Sequence, residues 1–192
     1  MTEKKFTDLR EYLENLSEVK KRPAILAIDG RCGSGKTTLG GMLASEWGAE
    51  LFHMDDFYLQ PHQRTPERLA EPGGNVDRER FLEEVLLKLC EGKPVEYRRF
   101  NCSDLSFDPV RTVVPKGIAI VEGSYACHPA LRAYYDHRIF VDIDPETQME
   151  RILRRNGAEA AERFRTVWIP LEETYFRECR VKDCCDLVTT FP

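Results

Sequence analysis

The chain has 192 residues, of which 42% are hydrophobic and 32% are charged, and its formal net charge is −5. This composition is ordinary for one globular domain, and the negative charge excludes a globally basic surface for nucleic acid. No apolar run approaches the roughly 20 residues of a membrane span, and the chain starts acidic where a signal peptide needs an apolar region. We therefore expect a cytoplasmic protein that binds neither nucleic acid nor membrane. A homo-oligomer is left open.

The first predicted element is an amphipathic helix over residues 6–20. Its apolar residues recur at helical spacing with charged residues between them: Phe6, Leu9, Leu13 and Leu16. We expect the helix to end before Pro23, because the residue before a proline avoids the helical region. We therefore divide the chain into an N-terminal helical segment, 1–22, and one domain, 23–192.

A buried strand and a glycine-rich loop come next. The apolar run at 24–29 predicts the strand, and the pattern after the loop predicts a helix over about 36–47. The loop fits G-x-x-x-x-G-K-[ST] with Gly30, Gly35, Lys36 and Thr37. Glycine lets the backbone approach a phosphate, and the N–H groups of a helix N-terminus attract anions. The loop therefore predicts a nucleotide site.

Individual residues of this loop have expected roles. The nucleotide is expected to contact Gly30, Cys32, Gly33, Ser34, Gly35, Lys36, Thr37 and Thr38. Lys36 would reach the β- and γ-phosphates of ATP and so act in catalysis, and the Thr37 hydroxyl would ligate Mg²⁺. Cys32 stands near Lys36, which predicts a lowered thiol pKa and sensitivity to oxidant.

Strands and helices alternate along the rest of the chain. Further strands are expected at 50–54, 117–123, 138–143 and 186–190, and helices at 78–90, at 129–135, from 145 and after Pro170. Residues 59–77 are predicted to be a functional loop, and 95–116 a small hairpin. This order predicts a three-layer α/β sandwich of about five mainly parallel strands with helices on both faces.

Acidic side chains follow two of the predicted strands. Asp55 and Asp56 come directly after the second strand, and Glu122 ends the apolar run at 117–123. Side chains just past the ends of parallel strands line the ligand crevice. Asp55 or Asp56 could orient a substrate hydroxyl and take its proton, with Asp55 preferred, and Glu122 could hold Mg²⁺.

A basic stretch at 151–166 has two interpretations. Its cations are Arg151, Arg154, Arg155, Arg163 and Arg165. Such a run is commonly a solvated face. The alternative is a small lid whose arginines, Arg155 among them as a catalytic residue, close over the charge that spreads on the γ-oxygens.

Four segments follow one another along the chain: the loop at 30–37, the segment 54–58, the segment 75–77 with Phe81, and the segment 121–125. In this order, and over residues 23–190, the chain resembles uridine kinase-like P-loop kinases, a group with relatives that act on pantothenate, phosphoribulose and nicotinamide riboside. The resemblance implies a P-loop NTPase fold and ATP- and Mg²⁺-dependent phosphorylation of a small-molecule hydroxyl. The favoured acceptor is the 5′-hydroxyl of a nucleoside such as uridine or cytidine; a pantothenate-like or sugar-like acceptor, or a regulatory NTPase switch, are the alternatives.

The resemblance also implies residue roles. Asp55 looks like the base, Asp77 like the residue that holds the ribose hydroxyls, and Tyr97 and Phe100 like aromatic residues that stack on the base. The implied substrate site is Asp55, Tyr58, Asp77, Tyr97, Phe100 and Glu122, and the implied metal ligands are Thr37, Asp55 and Glu122. The sequence at 151–157 departs from the family's lid pattern, so the lid is assigned by region.

Overall fold

The computed structural model describes residues 3–191, with side chains from Phe6 onward; residues 1, 2 and 192, the ends of the two predicted segments, lie outside the described residues. The strands are β1 (Ala24–Gly30), β2 (Glu50–His53), β3 (Val95–Tyr97), β4 (Phe100–Asn101), β5 (Ser106–Phe107), β6 (Arg111–Val113), β7 (Ile118–Glu122), β8 (His137–Asp142) and β9 (Leu187–Thr190). The helices are α1 (Glu3–Lys20), α2 (Lys36–Trp47), α3 (Pro66–Ala70), α4 (78–90, with a π-helical turn at Leu82–Leu86), α5 (Pro145–Arg163), α6 (Ile169–Glu178) and α7 (Val181–Cys184).

Five strands form one parallel sheet in the order β2-β7-β1-β8-β9, which confirms the predicted sheet. Strand β1 lies at its centre and is buried along its whole length. The register sets Ile28 of β1 opposite Glu122 of β7, and Gly30 opposite Val141 of β8. The C-terminal ends of these strands therefore meet at one edge of the sheet, where parallel sheets bind ligands.

Helices cover both faces of the sheet, so the predicted three layers are confirmed. Leu13 of α1 and Leu39 of α2 share a buried cluster with Leu26 of β1. Phe81 of α4 lies on the other face, in a cluster with Ile25. Consecutive residues of β1 serve the two cores because side chains alternate along a strand. Within residues 3–191, no helix combines the length and the apolar character that crossing a membrane would require.

The hairpin predicted at 95–116 is confirmed and consists of two short antiparallel ladders. Strand β3 pairs with β6 at its base, and β4 pairs with β5 towards its tip. Within residues 3–191 neither ladder is hydrogen-bonded to the central sheet, so the hairpin stands beside that sheet rather than extending it.

Two sequence predictions about local structure are wrong. The segment 59–77 contains a 3₁₀ turn at Pro61–Gln63 and helix α3, where a loop was expected. The Thr65 side chain accepts a hydrogen bond from the Arg68 N–H and so caps α3. The helix has only five residues, which are too few to show a helical period in the sequence. The helix expected at 129–135 is a 3₁₀ turn at Arg132–Tyr134.

Candidate active site

The phosphate loop leaves the central strand β1 and enters helix α2. Gly33 has φ 76° and Gly35 has φ 94°, left-handed conformations that favour glycine. At Gly30 a Cβ atom would lie 2.1 Å from the carbonyl oxygen of Val141, so a larger residue would collide with β8. The glycines of the motif therefore give the loop a shape that other residues could not adopt without strain.

Two polar side chains of this loop fit a bound phosphate chain. Lys36 is buried, and its ammonium donates hydrogen bonds to the carbonyl oxygens of Gly30 and Arg31 at 2.7 and 2.9 Å. The Ser34 hydroxyl is fully buried and has no hydrogen-bond partner among the described residues. A buried hydroxyl is normally paired, and a phosphate oxygen would supply the missing partner. Thr37 and Thr38 are exposed at the start of α2.

The base of the loop is held by Asp29, a fully buried carboxylate that the sequence analysis missed. It accepts hydrogen bonds from the Gly30 N–H at 2.7 Å, the Cys127 N–H at 2.8 Å and the Tyr175 hydroxyl at 2.8 Å. Burial raises the pKa of Asp29 to about 6, although these hydrogen bonds and the charge of Lys36 oppose the rise. The available signal was an acidic residue at the end of an otherwise apolar strand.

A pair of oxygen ligands lies where α2 meets the end of β7. The Thr37 hydroxyl donates a hydrogen bond to one Glu122 oxygen at 3.1 Å. The other Glu122 oxygen is 2.5 Å from Nδ1 of His53, a contact that raises the pKa of His53. Hydroxyl and carboxylate oxygens suit Mg²⁺, which commonly takes one or two protein ligands and completes its octahedron with phosphate and water. The structure thus brings together Thr37 and Glu122, and their chemistry fits Mg²⁺.

The 3₁₀ turn at Met54–Phe57 presents two carboxylates directly after β2. Asp55 is exposed and accepts a hydrogen bond from the Tyr58 hydroxyl at 3.0 Å. Asp56 is half-buried, lies 3.6 Å from Arg99, and has its pKa raised by burial. Asp55 is therefore the more open of the two to a substrate, and Tyr58 orients it. A role of Asp55 as a metal ligand stays a prediction.

Asp77 lies at the N-terminus of α4, where it acts as a helix cap. One of its oxygens accepts the Arg80 N–H at 3.0 Å, and the other accepts the Gln63 amide at 2.8 Å. Its own N–H donates to the Phe57 carbonyl at 2.7 Å, which fixes it beside the turn that carries Asp55. Its contact with a ribose stays a prediction.

The structure does not bring Tyr97 and Phe100 to an open wall of the site. Tyr97 is 2% exposed, and its ring stacks on Phe57 with the ring centroids 5.5 Å apart. Phe100 is also 2% exposed and packs against Phe107 at 5.3 Å. Alternation along a strand shows which residues share a face but not which face is covered. Both rings contribute to packing here, instead of forming the base-stacking wall that the resemblance implies.

Four arginines of the predicted lid lie on α5, which is interrupted at Gly157 with φ 80° and ψ 171°, and Arg165 lies in the π-helical turn Phe164–Trp168 that follows. The Arg151 guanidinium is 3.4 Å from the Gly33 carbonyl oxygen, so it contacts the phosphate loop. Arg155, which was expected to be catalytic, is exposed and donates to the Asn156 side chain at 2.8 Å. The remaining members of the stretch are also exposed: Arg154, Arg163 and Arg165. The structure therefore places Arg151, rather than Arg155, against the loop.

The expected lowering of the Cys32 thiol pKa is wrong, and the expected sensitivity to oxidant stays a prediction. Burial and the neighbouring Glu172 carboxylate raise the pKa of the Cys32 thiol, and the opposing effect of Lys36 is smaller. The Gln148 amide donates to the Cys32 carbonyl oxygen at 2.9 Å and lies 3.3 Å from its sulfur. Cys32 is therefore a fixed part of the loop rather than an exposed thiolate.

Helix α6 supplies three side chains to the loop, and the sequence analysis identified none of them. Besides Tyr175, which donates to Asp29, Glu173 pairs with Arg31 at 2.6 Å, and Glu172 accepts the Cys32 N–H at 2.9 Å. The last pair is separated by 140 residues along the chain, so no local pattern could reveal it.

Comparison with known proteins identifies the relatives of this chain. The Phosphoribulokinase / Uridine kinase family matches residues 25–168. A uridine kinase of Geobacillus kaustophilus is 31% identical over 158 residues, which are 76% of this chain and 72% of that protein. Uridine kinase-like protein 4 of Arabidopsis thaliana is 28% identical over 169 residues, and these are 83% of this chain but only 35% of the plant protein. The chain thus spans about a third of the length of that relative.

The fold also has counterparts among solved structures. A candidate fructose transport system kinase of Silicibacter sp. TM1040 superposes with a TM-score of 0.71 at 23% identity, with 94% of this chain and 98% of that chain covered. This likeness concerns the fold, and it agrees with the parallel sheet and the helices on both faces.

Proposed function

The chain belongs to the Phosphoribulokinase / Uridine kinase family, and we propose that it transfers the γ-phosphoryl group of ATP to a hydroxyl of a small molecule. The observation that carries this proposal is the 3.1 Å contact of Thr37 with Glu122, because it joins the phosphate loop to the end of β7. Asp55 follows the neighbouring strand and is open to a substrate. A regulatory NTPase would have no need of this open carboxylate.

In this proposal each group has one task. Asp55 orients the acceptor hydroxyl and takes its proton; Tyr58 occupies one carboxylate oxygen, and the other remains for the acceptor. Lys36 exchanges the loop carbonyls for oxygens of the β- and γ-phosphates. Thr37 and Glu122 would hold Mg²⁺, which supplies neutralisation of the phosphate charge.

We also propose that the acceptor is the 5′-hydroxyl of a nucleoside such as uridine or cytidine. Support comes from relatives named uridine kinase, such as the one that is 31% identical, and from the position of Asp77 beside the Asp55 turn. One observation favours the alternative, a non-nucleoside such as a pantothenate-like or sugar-like compound. The rings of Tyr97 and Phe100 are covered by protein and do not offer a surface for a nucleobase.

The test is release of ADP from ATP and Mg²⁺ by the purified chain over uridine, cytidine, adenosine, pantothenate and fructose, with the product mass read in parallel. We expect uridine or cytidine to gain one phosphate. The Lys36→Ala variant, checked for folding by circular dichroism, should be inactive and so exclude a contaminating kinase. Turnover with pantothenate or fructose alone would discard the nucleoside but keep the kinase, and ADP release that never depends on an acceptor would favour the regulatory NTPase.

A further inference from the structure

A further carboxylate reaches the candidate site from helix α6. Glu172 is 4% exposed; one of its oxygens accepts the Cys32 N–H at 2.9 Å, and the other accepts the Ser124 hydroxyl at 2.5 Å. Cys32 belongs to the phosphate loop, and Ser124 lies two residues beyond Glu122 at the end of β7. Glu172 therefore lies at the same edge of the sheet as the Thr37 and Glu122 pair.

The charge of Glu172 is more than packing requires. Within residues 3–191 no lysine or arginine forms an ion pair with it, and the nearby Arg31 is engaged by Glu173 and Asp142. A glutamine could accept the Cys32 N–H equally well and would avoid the cost of burying a charge without a counter-ion. A carboxylate has about four acceptor positions, and two of those on Glu172 are used. The remaining positions are available to a ligand.

One tyrosine, Tyr125, follows the Ser124 partner of Glu172 in the chain, and another, Tyr58, contacts Asp55. Tyr58 donates its hydroxyl hydrogen bond to Asp55, and the Tyr125 hydroxyl accepts one from the Asn75 amide at 3.2 Å. Tyr125 has φ 74°, a conformation that is unusual for a bulky residue. Burial raises the pKa of both phenols, and the negative charges of Asp55 and Glu172 add to the rise in each case. Tyr125 packs on Tyr175 of α6 with the ring centroids 4.9 Å apart, and Val76, next to Asn75, pairs with Tyr58. This set of contacts joins the part of α6 that carries Glu172 to the turn that carries Asp55.

We propose that Glu172 binds the acceptor by taking a hydrogen bond from a second hydroxyl, close to the one that is phosphorylated. The inference rests on the proposed kinase function. Since Glu172 contacts the phosphate loop, its ligand lies near the reacting end of the acceptor, which in a nucleoside is the 2′- or 3′-hydroxyl of the ribose. Two carboxylates beside one acceptor would also favour a neutral polyol over an acceptor with an anionic group beside its hydroxyl.

The test pairs a change in the enzyme with a change in the substrate. Glu172→Gln removes the charge and keeps an acceptor for the Cys32 N–H, and the probes are uridine, 2′-deoxyuridine and 3′-deoxyuridine with ATP and Mg²⁺. We expect one deoxy compound to lower kcat/KM of the wild type by about tenfold or more, and that of Glu172→Gln by only about twofold, because the partner of the missing hydroxyl is already changed. Glu178→Gln, on the same helix but exposed and paired with Arg177, should behave as the wild type. An equal loss in the wild type and Glu172→Gln overturns the inference.

ATP titration without an acceptor supplies a readout that is independent of the nucleoside. Glu172→Gln should change the Kd for ATP by less than about threefold, and a change of about tenfold would assign Glu172 to the nucleotide and overturn the inference. If the wild type phosphorylates a different hydroxyl compound, the nucleoside proposal fails, and the same cycle is run with monodeoxy analogues of that compound. If Glu172→Gln does not fold, Ser124→Ala replaces it; this variant removes a hydrogen bond that holds the Glu172 carboxylate in position and should lose part of the discrimination.

Discussion

Asp55 and its neighbour Asp56 differ in what surrounds them, although they share one turn. Asp55 is exposed beside Tyr58, whereas Asp56 is half-buried near Arg99. Asp55→Asn should lower kcat by about 10²–10⁴-fold, because the amide cannot take the proton of the acceptor, and should leave ATP affinity unchanged. Asp56→Asn is the matched control and should keep most of the activity. Initial rates of ADP release and ATP titrations measure both effects, and the reverse pattern would assign the base to Asp56.

Asp29 makes the stability of the phosphate loop depend on pH. Burial raises its pKa from 3.8 to about 6 in the folded protein, so between these values the native state binds more protons than the unfolded state. The free energy of unfolding should therefore fall as pH rises from about 4 to about 6, by about 3 kcal/mol for a shift of about two pKa units. Urea unfolding at several pH values should show this fall in the wild type and not in Asp29→Asn. Parallel profiles for the two proteins would contradict the assignment.

Helix α5 carries four of the five arginines of the predicted lid, yet only some of them can matter to a bound nucleotide. Arg151 contacts the Gly33 carbonyl, and Arg155 lies one turn further along and is exposed. Arg151→Ala should raise the KM for ATP by about tenfold, as expected for the loss of a charged group beside phosphates, and Arg155→Ala should change it by less than about threefold. Steady-state kinetics of the two variants give the comparison. A larger effect at Arg155 would restore its expected catalytic role and indicate that α5 moves when ATP binds.

Elements with a strong local pattern were predictable from the sequence. The apolar run of β1, the glycine loop and the period of α2 are contiguous, so their order alone indicates a phosphate loop. The meeting of Thr37 with Glu122 was also predictable, because the ends of parallel strands share one edge. Helix α3 was not, since its start depends on one hydrogen bond from the Arg68 N–H to Thr65.

Contacts between distant elements could not be predicted. Asp29 meets Tyr175 across 146 residues, and Cys32 meets Glu172 across 140. The hydrophobic period of α6 identifies its buried face but not which loop its acidic residues reach. Tyr97 shows the same limit, because its β-type pattern fits both a wall of the site and a packed core.

At the scale of the whole molecule, ion pairs as well as apolar packing hold the N-terminal helix against the sheet. The Asp136 side chain is 2% exposed and accepts hydrogen bonds from Lys20 at 2.5 Å, Arg22 at 2.8 Å and the Ile25 N–H at 2.8 Å. Burial opposes ionisation of Asp136, but these hydrogen bonds outweigh it and leave its pKa below the usual value. Leu13 of α1 is fully buried in the same cluster as β1. We therefore expect α1 and the domain to unfold together.

Leu13→Ala tests whether α1 and the domain unfold together, because it removes a buried side chain between α1 and the sheet. It should lower the free energy of unfolding of the whole chain by about 2–5 kcal/mol. Tyr12→Ala, at a neighbouring residue that is 49% exposed, should lower it by less than about 1 kcal/mol. Denaturation followed by circular dichroism and by tryptophan fluorescence should give coincident transitions, since Trp47 lies in the cluster that holds Leu13. A Leu13→Ala protein whose main transition stays at the wild-type midpoint would show that α1 unfolds on its own, and the segment before Pro23 would then be an accessory to the sheet that carries the phosphate loop.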